Sequence, residues 1–160
     1  DTIGSWPEQQ RARRRGEAIH YILSLGDRLP EGGTEHNALD SLVDAGVARY
    51  ACHSEKDLLR DSVKGIFANP SLAVFFTHKP GDTVLREQEI TDDTGLTHKA
   101  DRIVITGETV HVIEFKTGKV RHKAHGDQIA LYGSLVKLLY PDKKVFTHLA
   151  YLDTGETVSS

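Results

Sequence analysis

Apolar residues recur at helical spacing through the first half of this chain and at strand spacing through most of the second. From about Pro7 to Leu25, Ala18, Ile19, Ile22, Leu23 and Leu25 fall in helical register. Pro7 suits a helix start, while Gly26 and Pro30 mark the end. HNALDSLVDAGVARY reads the same way through Leu39, Leu42, Val43 and Val47, and SEKDLLRDSVKGIFAN through Leu58, Leu59, Val63, Ile66 and Phe67. Ser54 and Asp57 have capping-box spacing, and Asn69-Pro70 closes the segment. Neither stretch carries a motif, so we expect a helical insert packed against a core that lies elsewhere.

The period then changes. Leu72–Thr77 is a short apolar run expected to form a strand. Thr83–Thr91 alternates loosely, which puts Leu85, Glu87 and Glu89 on one face, and Asp92-Asp93-Thr94-Gly95 makes the following turn. Two strands rich in Ile and Val, Ala100–Thr106 and Thr109–Lys116, are joined at Gly107-Glu108. A helix is expected from about Ala124 to Leu139, ended by Pro141, with Ala124, Gln128, Leu131, Leu135 and Leu138 along one face. Val145–Leu152 is the last strand, before a polar tail, Asp153–Ser160. No internal repeat, linker or low-complexity segment interrupts this order.

The central hairpin carries the chemistry. Alternation puts Asp101, Ile103 and Ile105 on one face of its first strand, and Val110, Val112, Glu114 and Lys116 on one face of the second. An apolar strand that ends in two charges on its core face needs them paired or bound to something. Two carboxylates and an ammonium are the parts that hold a hard divalent cation and activate a water beside it. A salt-bridged hairpin mouth would use the same letters, so this D-x12-E-x-K pattern is weak alone. Gln128 and Tyr132 lie one helical turn apart and project in the same direction. Lys116, Lys119, Arg121, His122 and Lys123 form a basic loop next to the hairpin, and Arg11, Arg13, Arg14 and Arg15 a second basic run. Each run could neutralise phosphates or be a solvated face.

Composition bounds the rest. At 160 residues, 38% hydrophobic and 27% charged, the chain is long enough for one domain with a real core. No apolar run reaches the roughly 18 residues of a membrane span, and no signal peptide is visible, so no membrane partner is expected. The single cysteine, Cys52, excludes a disulfide framework within the chain and an iron–sulfur cluster held by four thiolates. A net charge of −3 makes any nucleic-acid contact local rather than global. The chain has no Met and begins at Asp1, which leads us to expect a domain cut from a longer protein or a processed product.

Gly16-x-x-x-His20, a strand glutamate, Asp101, Glu114-x-Lys116 and Gln128-x-x-x-Tyr132 occur in that order. This order resembles the RecB-like branch of the PD-(D/E)xK nuclease superfamily. RGEAIHYIL, IEFKTGK and QIALYGSLV are similar to the nuclease domain that ends the helicase–nuclease subunits RecB and AddA. The family usually has Asp where Glu114 stands, but Glu belongs to the superfamily pattern. Glu87 fits the spacing of the family glutamate best, with Glu89 as the alternative.

The resemblance implies an α/β, restriction-endonuclease-like core: a mixed central sheet flanked by helices, with a helical insert before the core strands, in one domain spanning residues 1–160. It implies Mg²⁺ or Mn²⁺ held by His20, Asp101, Glu114 and the backbone carbonyl of Phe115. Lys116 would orient the attacking water and offset charge on phosphorus, because an ammonium is favoured beside two carboxylates. Gln128 and Tyr132 would brace the site or contact DNA, and Lys119, Arg121 and Lys123 would hold backbone phosphates. The implied partners are single-stranded DNA, a helicase motor in the same parent chain and a second helicase–nuclease subunit, in a bacterial or phage-like cytoplasm. Two other readings stay open: a stand-alone or phage-type nuclease acting on duplex ends, and a non-catalytic nuclease-like module. The intact Asp101, Glu114 and Lys116 argue against the last.

Overall fold

The computed structural model describes residues 6–26, 36–118 and 121–160. The chain forms two compact units, residues 1–73 and 74–160.

In the first unit, α1 (Trp6–Leu25), α2 (His36–Tyr50) and α3 (Lys56–Ala68) pack around Ile22, Leu39 and Val63, with Leu42 and Phe67 against them. Gly46 lets α1 and α2 approach: a Cβ there would lie 2.7 Å from the Ile22 side chain. The capping box expected at Ser54 and Asp57 does not form. Ser54 lies inside a 3-10 turn, His53–Glu55, closed by Glu55 N–H to Cys52 C=O at 3.0 Å, and Glu55 itself precedes α3 without a side-chain cap. The Glu55 carboxylate instead meets Arg15 at 3.4 Å.

The strand expected at Leu72–Thr77 is helical. It consists of a short helix, α4 (Pro70–Ala73), and a 3-10 turn, Val74–Phe76. Asn69-Pro70 does end α3, but it also starts the next helix. Asn69 Oδ1 accepts from Ser71 N–H at 3.0 Å, as an N-cap does, and Pro70 fits the first helical position.

The second unit is a five-stranded sheet in the order β1 (Thr83–Thr91), β2 (Thr97–Ile105), β3 (Thr109–Lys116), β4 (Lys144–Tyr151), β5 (Glu156–Ser159). β3 and β4 are parallel and the other neighbours antiparallel. The parallel pair requires a crossover, and α5 (Lys123–Leu139) supplies it. The expected mixed sheet with helical cover is therefore the fold. The segment expected only as a polar tail supplies β5, whose residues are all exposed. It pairs with β4 through the backbone and through Ser159 Oγ, 2.8 Å from His148 Nδ1, and with no residue of it buried the side-chain pattern gave no signal.

α5 buries Ile129, Tyr132 and Val136 against Ile103, Val110, Val112, Leu149 and Tyr151. The stripe expected through Leu131 and Leu138 is wrong: these are 40% and 78% exposed. The helix is rotated because Gly133 brings it close to β4, where a Cβ would lie 2.6 Å from Thr147 Cγ2. On the other face of the sheet, Phe76 stacks on Phe115 with centroids 5.6 Å apart, and the buried Arg102 guanidinium lies 4.6 Å from the Phe76 centroid. His111 Nδ1 and His148 Nε2 are 2.9 Å apart there. Burial holds both imidazoles below the usual range, His148 down to about 4.

Candidate active site

The turn before the central hairpin is built by Asp92. Its Oδ1 accepts from Thr94 N–H at 2.9 Å, Leu96 N–H at 3.0 Å and Thr94 Oγ1 at 2.6 Å, and its Oδ2 lies 2.8 Å from His98 Nε2. These bonds, that to the Thr94 hydroxyl foremost, hold its carboxyl well below the usual range.

The β1–β2 ladder runs in register from Thr83↔Ile105 to Thr91↔Thr97 but skips one place, where Glu87 stands opposite Asp101. Glu87 has φ +49°, left-handed backbone that a residue with a Cβ rarely adopts. The kink re-phases the sheet. Leu85, Ile103 and Ile105 on one side of it and Ile90 and Ala100 on the other all pack into the same core. The expected common face for Leu85, Glu87 and Glu89 is therefore broken at Glu87. Glu87 Oε2 pairs with Lys99 Nζ, whose ammonium also feels Asp101, while Glu89 is exposed.

β2 and β3 are paired up to Arg102↔Ile113. Beyond that pair, side chains replace the ladder. Asp101 Oδ2 accepts from Phe115 N–H at 2.8 Å, and Glu114 Oε1 accepts from Asp101 N–H at 3.3 Å. Each carboxylate is thus fixed by the backbone of the other's strand. Glu114 Oε2 lies 3.4 Å from Lys116 Nζ, which donates to Gln128 Oε1 at 2.7 Å. Gln128 Nε2 in turn donates to the Tyr132 hydroxyl at 3.0 Å. Burial, with the Glu114 and Asp101 charges behind it, raises the Tyr132 phenol, so it remains a neutral hydrogen-bonding group. Asp101, Glu114, Lys116, Gln128 and Tyr132 form one connected site at the start of α5.

Glu114 is 4% exposed, and burial together with Asp101 pushes its carboxyl up to about 7 against the opposing pull of Lys116. Two carboxylates face one ammonium, an excess of negative charge that a divalent cation would neutralise. Among the described residues no three His, Cys, Asp or Glu side chains gather as a metal site. The donor set on this unit is therefore Asp101 and Glu114 plus backbone oxygen, which suits a hard, oxygen-seeking ion.

The model of the PD-(D/E)XK nuclease superfamily matches residues 3–158. The chain belongs to that superfamily. Membership implies a nuclease, and PD-(D/E)XK nucleases typically use divalent metals. No curated protein matches the chain. The match covers both units, including the half-buried His20 on α1. In the second unit Asp101, Glu114 and Lys116 are the residues expected from the sequence to form the D…ExK signature.

Other expected residues stand as follows. Arg121 pairs with Glu156 at 2.7 Å, and Lys123 lies 3.8 Å from Asp127. Lys119 lies outside the described residues. Arg13 pairs with Glu17 at 3.0 Å. Sequence reasoning passed over His125, which lies three residues before Gln128 and close enough to Lys116 to feel its charge. The i, i+3 spacing to Gln128 was the available signal.

The kink yields a stability prediction. Glu87→Gly is expected to stabilise the protein by up to about 1 kcal/mol in urea denaturation, because glycine adopts φ +49° without the steric cost. Glu87→Ala, which keeps the cost and also loses the Lys99 pair, is expected to give no gain. Equal destabilisation by both would show that the kink stores no strain.

Proposed function

We propose that this chain is a metal-dependent deoxyribonuclease that hydrolyses phosphodiester bonds of single-stranded DNA, as the nuclease domain of a RecB/AddA-like helicase–nuclease. The observation that carries the catalytic part is the reciprocal pinning of Asp101 and Glu114, with Lys116 held beside them by Gln128. A site that served only as a hairpin salt bridge would not need a buried Glu114 or the Gln128–Tyr132 brace. The helicase–nuclease assignment rests on the sequence order from Gly16-x-x-x-His20 to Gln128-x-x-x-Tyr132. The same order supports reading residues 1–160 as one nuclease domain, partnered by a helicase motor and a second subunit.

Asp101, Glu114 and the Phe115 carbonyl would hold Mg²⁺ or Mn²⁺. Bound there, the ion supplies Lewis-acid polarisation of the phosphate and a more acidic water. The chain's own groups do the rest. Lys116 orients the attacking water and offsets charge that builds on phosphorus, Gln128 keeps the ammonium in place, and Tyr132 anchors Gln128. Glu87, opposite Asp101, draws Lys99 toward the same site.

The test is incubation of the protein with end-labelled single- and double-stranded DNA, with and without Mg²⁺ or Mn²⁺. Metal-dependent product ladders on single strands are expected. Cleavage of duplex ends alone would favour a stand-alone nuclease, and binding without cleavage a non-catalytic module. If Arg121 and Lys123 exchange their acidic partners for phosphates, replacing both with Ala flattens the salt dependence of single-strand binding by about 0.7 log units per contact. An unchanged slope returns both to solvated charge.

A further inference from the structure

The site as described has no group positioned to take the proton from the attacking water. Lys116 Nζ is a donor, 2.7 Å from Gln128 Oε1 and 3.4 Å from Glu114 Oε2. Asp101 and Glu114 already accept backbone N–H bonds and are the carboxylates the cation needs. Among the described residues, a basic side chain close enough to Lys116 to feel its charge is left without a role.

That side chain is His125, in the first turn of α5. Its half-buried ring contacts Tyr151, with Nδ1 3.3 Å from the Tyr151 hydroxyl, and meets the His122 ring edge-on at 5.2 Å. Tyr151 is the register partner of Lys116 across the β3–β4 pair, so this hydroxyl is fixed by the strand that carries the catalytic ammonium. The surrounding charges are known. Lys116 on β3 and His122 before the helix act on the ring directly. Arg121 sits over the Tyr151 ring at 5.4 Å and is paired with Glu156 of β5, and Lys123 and Asp127 lie near one another on α5 itself.

We infer that His125 is the general base of the hydrolysis, taking the proton of the attacking water on Nε2 while Tyr151 fixes the ring through Nδ1. This assignment rests on the nuclease reading above and adds the proton acceptor to it. In the tautomer this role requires, Nδ1–H donates to the Tyr151 oxygen and the Nε2 lone pair is available. The water's O–H bond breaks toward Nε2, its oxygen bonds to phosphorus, and one bridging P–O bond breaks. The leaving oxygen takes a proton from solvent, and the imidazolium returns its own, so the net reaction is hydrolysis. Burial and the charges of Lys116 and His122 keep the imidazole below its usual pKa. It is therefore neutral, and able to accept a proton, at neutral pH.

The test is single-turnover cleavage of end-labelled single-stranded DNA by the full chain at saturating Mn²⁺. His125→Gln is expected to slow cleavage by about 10²–10⁴-fold while Mn²⁺ titration and DNA binding stay as in wild type. His125→Gly should recover rate with added imidazole, in proportion to the imidazole free base. In Tyr151→Phe the acidic limb of the pH–rate profile should move to lower pH, because the imidazolium loses an acceptor. Wild-type rates in His125→Gln, or a loss that imidazole leaves untouched and that follows weakened DNA binding, would overturn the assignment. An unmoved acidic limb would remove Tyr151 from it. If wild-type protein cleaves nothing with metal present, the nuclease reading fails and this assignment fails with it.

Discussion

Lys116→Ala is expected to slow single-turnover cleavage by on the order of 10²–10³, about 3–4 kcal/mol of transition-state stabilisation, without loss of divalent-metal binding. Lys116 Nζ is held from two sides, 2.7 Å from Gln128 Oε1 and 3.4 Å from Glu114 Oε2, so its charge is fixed before substrate arrives. Preorganised charge of this kind stabilises the transition state without reorganising during the reaction. Metal binding survives because the ammonium is a donor and repels cations. Asp101→Ala should behave differently and lose metal and cleavage together. It also removes the acceptor for Phe115 N–H, so part of its effect is on the sheet. Metal titration and single-turnover rates on both variants separate the roles. Wild-type cleavage by Lys116→Ala would leave the salt-bridged hairpin as the better account of Glu114 and Lys116.

Glu114→Gln is expected to abolish cleavage and at the same time stabilise the metal-free protein at pH 8. Burial and the Asp101 charge push the Glu114 carboxyl from its ordinary carboxylate range in the unfolded chain up to about 7 in the folded protein. Between these values the folded protein binds more protons than the unfolded chain, so stability falls as pH rises through that window. The amount is on the order of 1–3 kcal/mol for a buried group shifted this far. Glutamine cannot ionise, so the variant lacks that fall. His148 and His111 act in the opposite sense, because their lowered pKa values make stability rise with pH from about 4 toward their ordinary range. The Glu114 contribution is therefore the difference between wild type and variant in urea denaturation across pH. Adding Mn²⁺ at pH 8 should reverse the order, since only the wild type gains from binding through a full carboxylate pair. A variant no more stable than wild type at pH 8 without metal would mean that Glu114 is not strained by its burial.

Sequence alone determined the parts that depend on local chemistry. The bounds of β1 and β3, those of the crossover helix to within one residue and the single-turn pairing of Gln128 with Tyr132 follow from alternation, turn residues and helical spacing, whereas β2 begins at Thr97 and not at the expected Ala100. The placement of Glu114 and Lys116 on one face of β3 follows as well, because strand period is fixed by backbone geometry. The tertiary structure decided what depends on partners distant in the chain. β5 exists because β4 would otherwise be an unpaired edge, and α5 is rotated because Gly133 lets it lie against Thr147. Asn69-Pro70 reads equally as a helix end and a helix start, and only the Ser71 N–H bond to Asn69 shows that it is both. The left-handed turn at Glu87, which breaks the ladder opposite Asp101, has no glycine to announce it. Glu114's raised pKa is likewise a property of assembly. A carboxylate two residues from a lysine reads as a satisfied ion pair, until burial and the Asp101 charge from the next strand outweigh that lysine.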